Sequence, residues 1–264
     1  MLFKKAVRLV SILAVSAAAG LLLAGPLSTL LNLPYETVMR RLVTICSILG
    51  AAIYQRSIEK KRLRDWGFSD VRSAARFFQG IALGGATVAF VIIPAMLLKI
   101  DMVKPIVDRR ELWETLITYP LLGLGVGLVE ETFFRGFILQ TLASGSVRGA
   151  VILSSLFYSG IHFIKPDFNP QTGLPQAIGL FLVGIVLAVA FLRTGSLWLS
   201  IGLHSSWVFL IRFHKVILEP IGTPARWTFF GDNILLGGPV SWIGLCLVGW
   251  WIFKRFQPAQ AASR

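Results

Sequence analysis

Two adjacent carboxylates and an arginine, Glu130, Glu131 and Arg135, lie within the otherwise apolar run from Val129 to Phe137. A charge at mid-bilayer costs about 2.5–3.5 kcal/mol on insertion scales, so each of these groups must be held or used. Two imidazoles stand in apolar runs further along, His162 after Phe157-Tyr158-Ser159-Gly160-Ile161 and His204 after Gly202-Leu203. On a helix, Glu131 and Arg135 share a face four residues apart, with the acid before the base, the favourable order for pairing. Glu130 projects about 100° around from Glu131. The spacing therefore predicts a neutralised supporting pair, Glu131 with Arg135, and one carboxylate, Glu130, facing a cavity as a reactive base.

Two chemistries suit such a set. A carboxylate and an imidazole can together activate one water molecule, because each accepts a proton near neutral pH. Alternatively Glu130, His162 and His204 can ligate a zinc ion that keeps a position open for water. Transporters also set carboxylates and histidines on ion paths, and a Glu–Arg pair can simply lock helices together. At this level an enzyme, a carrier and a structural bundle all stay open.

The elements that would position these residues are hydrophobic spans. The 264-residue chain is 55% hydrophobic and only 15% charged, with mean hydropathy +0.72, too little charge for a soluble globule. The pattern predicts an all-α polytopic membrane bundle of about eight transmembrane helices, forming one membrane domain over 1–264, with the motif-bearing helices at 116–213. The spans are expected near Leu9–Leu31, Leu42–Tyr54, Phe77–Leu98, Leu116–Leu142, Gly149–Ile164, Gln176–Leu192, Ser196–Phe213 and Ile234–Phe253. The first could resemble a signal peptide, but its apolar character continues past Pro26, which favours an uncleaved span.

A net charge of +13 would suit nucleic acid, yet the basic residues fall between and beside the spans, where they act as topology signals and headgroup contacts. The densest stretch, Arg56 to Arg76, reads as cytoplasmic by the positive-inside rule. Eight spans then place both termini in the cytoplasm. Cys46 and Cys246 lack metal-type spacing and read as buried free thiols. His214, beside Lys215 at a span end, reads as interfacial, and Asp167 and Asn169 as residues that could rim the site. Gly80, Gly84 and Gly85 would allow close helix approach, and Gly123, Gly125 and Gly127 read as packing or a bend.

The same residues resemble the CAAX protease and bacteriocin-processing family (CPBP, or Abi), which includes the type II CAAX prenyl endopeptidases. Glu130-Glu131-x-x-x-Arg135 is similar to its EExxxR motif, Tyr158-x-x-x-His162 to its FxxxH, and Ser196 to His204 to its third motif. The resemblance implies an all-helical intramembrane endopeptidase of a bacterial-type inner membrane, glutamate-type or zinc-dependent. Glu130 and His162 would polarise the attacking water and His204 would stabilise the oxyanion. Its substrate would be a membrane-associated protein or peptide, such as a CAAX tail, a leader or a carboxyl-terminal sorting tail.

Two positions depart from the pattern. Tyr158 stands where the motif has Phe, and Val208 stands four residues after His204 where it has Asn or Asp. Valine neither ligates a metal nor donates a hydrogen bond, so Ser200 or Trp207, on neighbouring helical positions, would have to supply the missing donor. The alternative is a chain that has lost proteolysis and serves as a membrane binding or immunity partner, or as a carrier.

Overall fold

Long apolar runs with few interior breakers fold as helices, because in lipid each backbone N–H and C=O must be satisfied within its own segment. The computed structural model describes residues 2–163, 170–221, 226–231 and 233–257. Helices α1 (Leu2–Leu31) and α2 (Tyr35–Ser57) form a hairpin, turned by Asn32 at φ 51° and by Pro34 ahead of α2. α3 (Ser73–Leu97) follows the basic connection, and α4 runs continuously over Arg109–Ala143. Then come α5 (Val147–Ile161), α6 (Pro170–Thr194), α7 (Leu197–Ile217) and α8 (Pro239–Arg255).

Each expected span overlaps one of these eight helices, the last starting at Pro239 rather than Ile234. α1, α3, α4 and α6 contain segments long and apolar enough to cross a membrane, and α5 is a shorter apolar helix. α2 carries Arg40 and Arg41 within it and Arg56 in its last turn, α7 carries Arg212, and α8 has 17 residues, so among the described residues four of the eight helices meet that length and hydropathy. Rows of apolar side chains point outward, among them Phe90, Ile93 and Leu97 on α3 and Ile117, Leu121 and Leu122 on α4. A surface of that kind is stable against lipid and not against water. The chain is an integral membrane protein.

α7 is the central element, packed between α3 and α4. Two glycine pairs make this possible. A Cβ on Gly80 would run into the backbone of Leu199, Leu203 and Gly202, and one on Gly202 into the carbonyl of Phe77. On the other side, Gly123 and Gly127 lie against Ser205, where a Cβ would come within 2.7 Å of its carbonyl and 2.8 Å of its hydroxyl. Gly85 and Gly125 face open space, so they take no part in the close packing expected of them.

The start of α7 is pinned by the basic connection. Gly67, at φ 108°, presents its carbonyl to the Leu197 N–H at 2.9 Å, and the Trp198 indole N–H donates to the Phe68 carbonyl at 3.2 Å. Ser196 caps the helix by accepting from the Trp198 N–H, as short hydroxyl side chains do at helix starts. The far end is tied down by an antiparallel ribbon that hydropathy does not announce: β1 (Asp101–Val103) pairs with β2 (Leu218–Pro220).

Three local expectations are corrected. His214 is not an interfacial group but is buried, with its Nε2 3.3 Å from Asp101 Oδ2 at the ribbon. Cys46 and Cys246 are free, but Cys46 is only partly buried and Cys246 is exposed on the outer face of α8. The connection expected to run to Pro175 ends by Pro170, where α6 has begun. Asp167 and Asn169 lie outside the described residues.

Candidate active site

Glu131 ends the regular α-helical part of α4, and the next eight residues, Thr132–Leu139, form a π-helical turn before the helix closes at Gln140–Ala143. Such widened turns are frequent at functional sites, where they re-aim side chains without ending the helix. Here the wide turn sends Arg135 back toward Glu131: Nη1 donates to Glu131 Oε1 at 2.8 Å. The other guanidinium arm donates to the Gly184 carbonyl on α6 at 3.2 Å. The Arg135 plane also lies over the Tyr158 ring, 4.9 Å from its centroid. A cation otherwise expensive in this setting is thus met by a carboxylate, a carbonyl and a π face.

Glu131 is fully buried and carries a second partner, His204 on α7, whose Nδ1 lies 2.8 Å from the same Oε1. Nδ1–H is therefore the donor in this contact, and the tautomer of the neutral ring leaves Nε2 free to accept. That Nε2 lies 3.7 Å from Glu130 Oε2, beyond a direct hydrogen bond. Glu130 Oε2 is buried and has no hydrogen-bond partner, although the side chain as a whole is 27% exposed. A buried unpaired carboxylate oxygen is costly and is a mark of a reacting group.

His162 caps α5 and is partly buried, with its Nδ1 2.7 Å from the Tyr158 carbonyl four residues before it. The carbonyl can only accept, so Nδ1 carries the proton and Nε2 again is free. The Tyr158 ring sits between the two imidazoles, its centroid 4.8 Å from that of His162 and 6.2 Å from that of His204. It also packs edge-on to Phe134 at 4.9 Å. α4, α5 and α7 thus bring Glu130, Glu131, Arg135, Tyr158 and His204 together, and His162 joins them through Tyr158.

The two substitute donors fare differently. Ser200 is fully buried and spends its hydroxyl on the Leu197 carbonyl at 2.9 Å, so it is committed to its own helix. Trp207 is buried with its indole N–H unpartnered. Val208 is half-buried.

The family model described as type II CAAX prenyl endopeptidase Rce1-like matches residues 112–210. Over these helices the chain is similar to the Rce1-like family. The matched region spans α4 to α7 and takes in each clustered residue, and it agrees with the resemblance to the CPBP proteases carried by the three motifs. No curated protein and no solved structure matches the chain.

Zinc can be tested against the donor set. Each imidazole has its Nδ1 held by an oxygen acceptor, as the rings of zinc-bound histidines do. Among the described residues, however, no three His, Cys, Asp or Glu side chains gather at ligand spacing. A three-ligand catalytic zinc centre is not what these side chains present as they stand. The sequence missed three supports: the π-helical turn, the Gly184 carbonyl and the second use of Glu131. None leaves a signature in residue type, since a backbone carbonyl belongs to every residue.

Proposed function

We propose that this chain is an intramembrane endopeptidase that hydrolyses a peptide bond of a membrane-associated protein or peptide, with Glu130 as the general base. The observation that supports it is the meeting of two proton acceptors at one point: Glu130 Oε2, buried and without a hydrogen bond, faces His204 Nε2 at 3.7 Å, while Glu131, itself paired with Arg135, holds the ring from behind.

In this reading Glu130 accepts a proton from water as its oxygen attacks the scissile carbonyl. The new C–O bond forms, the carbonyl electrons move onto oxygen, and the proton held by Glu130 passes to the leaving amine as the C–N bond breaks. His162, through its free Nε2, shares the water. His204 donates from Nε2 to the oxyanion when its ring carries both protons, and Glu131 balances the charge so created. The unspent Trp207 N–H is the donor that answers for Val208.

The similarity to the Rce1-like family supports a substrate of the same class: a CAAX-type tail, a leader or a sorting tail, presented from the bilayer. The basic connection between α2 and α3 supports a cytoplasmic placement of that side and of both termini, in a bacterial-type inner membrane. The test is hydrolysis in proteoliposomes of an internally quenched prenylated peptide in H₂¹⁸O. Wild type is expected to place one ¹⁸O in the new carboxylate, and Glu130→Gln to release no product. Equal turnover by both would overturn the assignment. Binding of the peptide without cleavage by either would favour the non-catalytic partner.

A further inference from the structure

A cavity of about 670 Å³ opens away from α4 and α5, between the start of α3 and the ends of α6 and α8. Arg72, Arg76, Arg193 and Arg255 line it, together with Trp251 and Phe256. Four guanidinium groups sharing one cavity repel one another, and among the described residues the carboxylate paired with them is that of Asp70, whose Oδ2 lies 3.8 Å from Arg76 Nε. Arg193 and Arg255 stand in the last turns of α6 and α8, where a cation complements the helix dipole. Arg72 and Arg76 have no such reason, since they sit at the start of α3, where the dipole already disfavours positive charge. Among the described residues one carboxylate stands against four guanidinium groups, an arrangement that favours an anion.

The arginines are also oriented. Arg76 stacks over Phe256 with its guanidinium 4.6 Å from the ring centroid, and Arg193 over Phe253 at 4.4 Å. Stacking fixes each guanidinium plane and leaves its N–H edge for a ligand. The Nε of Arg193 is buried without a hydrogen-bond partner, whereas that of Arg76 faces Asp70 Oδ2 at 3.8 Å and its Nη1 donates to Gln79. Two parallel N–H groups on a fixed plane match two oxygens of a phosphate. The cavity lies on the side of the basic connection, and Trp251, 42% exposed, stands on its wall, as an interfacial tryptophan does at headgroup level. Its volume suits a headgroup better than a lone phosphate ion.

We propose that this cavity binds the phosphodiester headgroup of an anionic membrane lipid, the phosphate held by the Arg193 edge, with Arg76 beside it and Arg72 and Arg255 at the rim. Basic pockets between membrane helices on the positively charged side hold anionic headgroups in this way.

The experiment is native mass spectrometry of the full chain in neutral detergent, titrated separately with short-chain phosphatidylglycerol, phosphatidylcholine of the same chain length, and inorganic phosphate. One phosphatidylglycerol is expected to bind at concentrations where phosphatidylcholine does not. Arg72→Gln with Arg255→Gln, both exposed, should weaken it about thirtyfold, near fivefold for each charge at a membrane surface. Should the double variant not fold, Arg72→Gln alone is expected to weaken it about fivefold. Equal affinity for the two lipids, or affinity unchanged in the variants, would overturn the site. Inorganic phosphate binding as tightly as the lipid would overturn the headgroup assignment and leave a free-phosphate site.

Discussion

His204 Nδ1 and Glu131 Oε1 lie 2.8 Å apart in the buried centre of the bundle, and that contact fixes both the tautomer and the direction of the imidazole. The same carboxylate oxygen receives Arg135 at 2.8 Å. Glu131 is therefore shared between a structural ion pair and a site residue. Glu131→Gln keeps the shape and removes the charge that both partners use. Breaking a buried pair in this way costs about 3–5 kcal/mol. We expect a lowered thermal midpoint in detergent together with loss of cleavage, and an unchanged midpoint would contradict the central place given to Glu131.

Glu130→Gln should behave in the opposite manner. Its Oε2 makes no hydrogen bond, so removing its charge takes away a desolvation cost rather than an attraction. The variant is expected to insert, fold and unfold at or above the wild-type midpoint, with cleavage abolished. A destabilised Glu130→Gln would mean that Glu130 is a structural group.

Trp207→Phe separates the oxyanion role from packing. The indole N–H has no partner, so phenylalanine removes a buried unsatisfied donor at little cost to the fold. Losing a donor to the oxyanion lowers kcat about 10²–10³-fold with KM nearly unchanged. A KM effect alone would assign Trp207 to substrate binding, and no effect would return it to the core.

The helix packing around α7 makes a graded prediction. Gly80→Ala and Gly202→Ala put a methyl into the backbone of the facing helix and should destabilise by about 1–3 kcal/mol. Gly85→Ala and Gly125→Ala meet nothing within 4 Å and should be neutral or slightly stabilising, since alanine favours helix. Thermal midpoints of the four variants check the ordering.

The helical architecture was legible because the signal is one-dimensional: an apolar run of sufficient length becomes a helix wherever it lies. The Glu131–Arg135 pair and the division between it and Glu130 were legible for a related reason, because spacing along one helix fixes which side chains share a face. What lay out of reach depends on contacts between helices. Gly80 and Gly85 are alike in sequence, yet one touches α7 and the other open space. Ser200 looked available from its position four residues before His204, but a buried serine on a helix donates to its own backbone. His214 found Asp101 across 113 positions of chain, through a ribbon of two three-residue strands too short for a hydropathy pattern.

The most direct measurement is mass spectrometry of the membrane proteins of cells that express either wild type or Glu130→Ala at matched levels, scoring peptide termini. Catalysis by Glu130 predicts termini present with the wild type and missing with the variant, clustered at one kind of membrane-proximal site. Identical sets of termini from the two strains, with both proteins inserted and folded, would contradict it and make this chain a non-cleaving membrane partner.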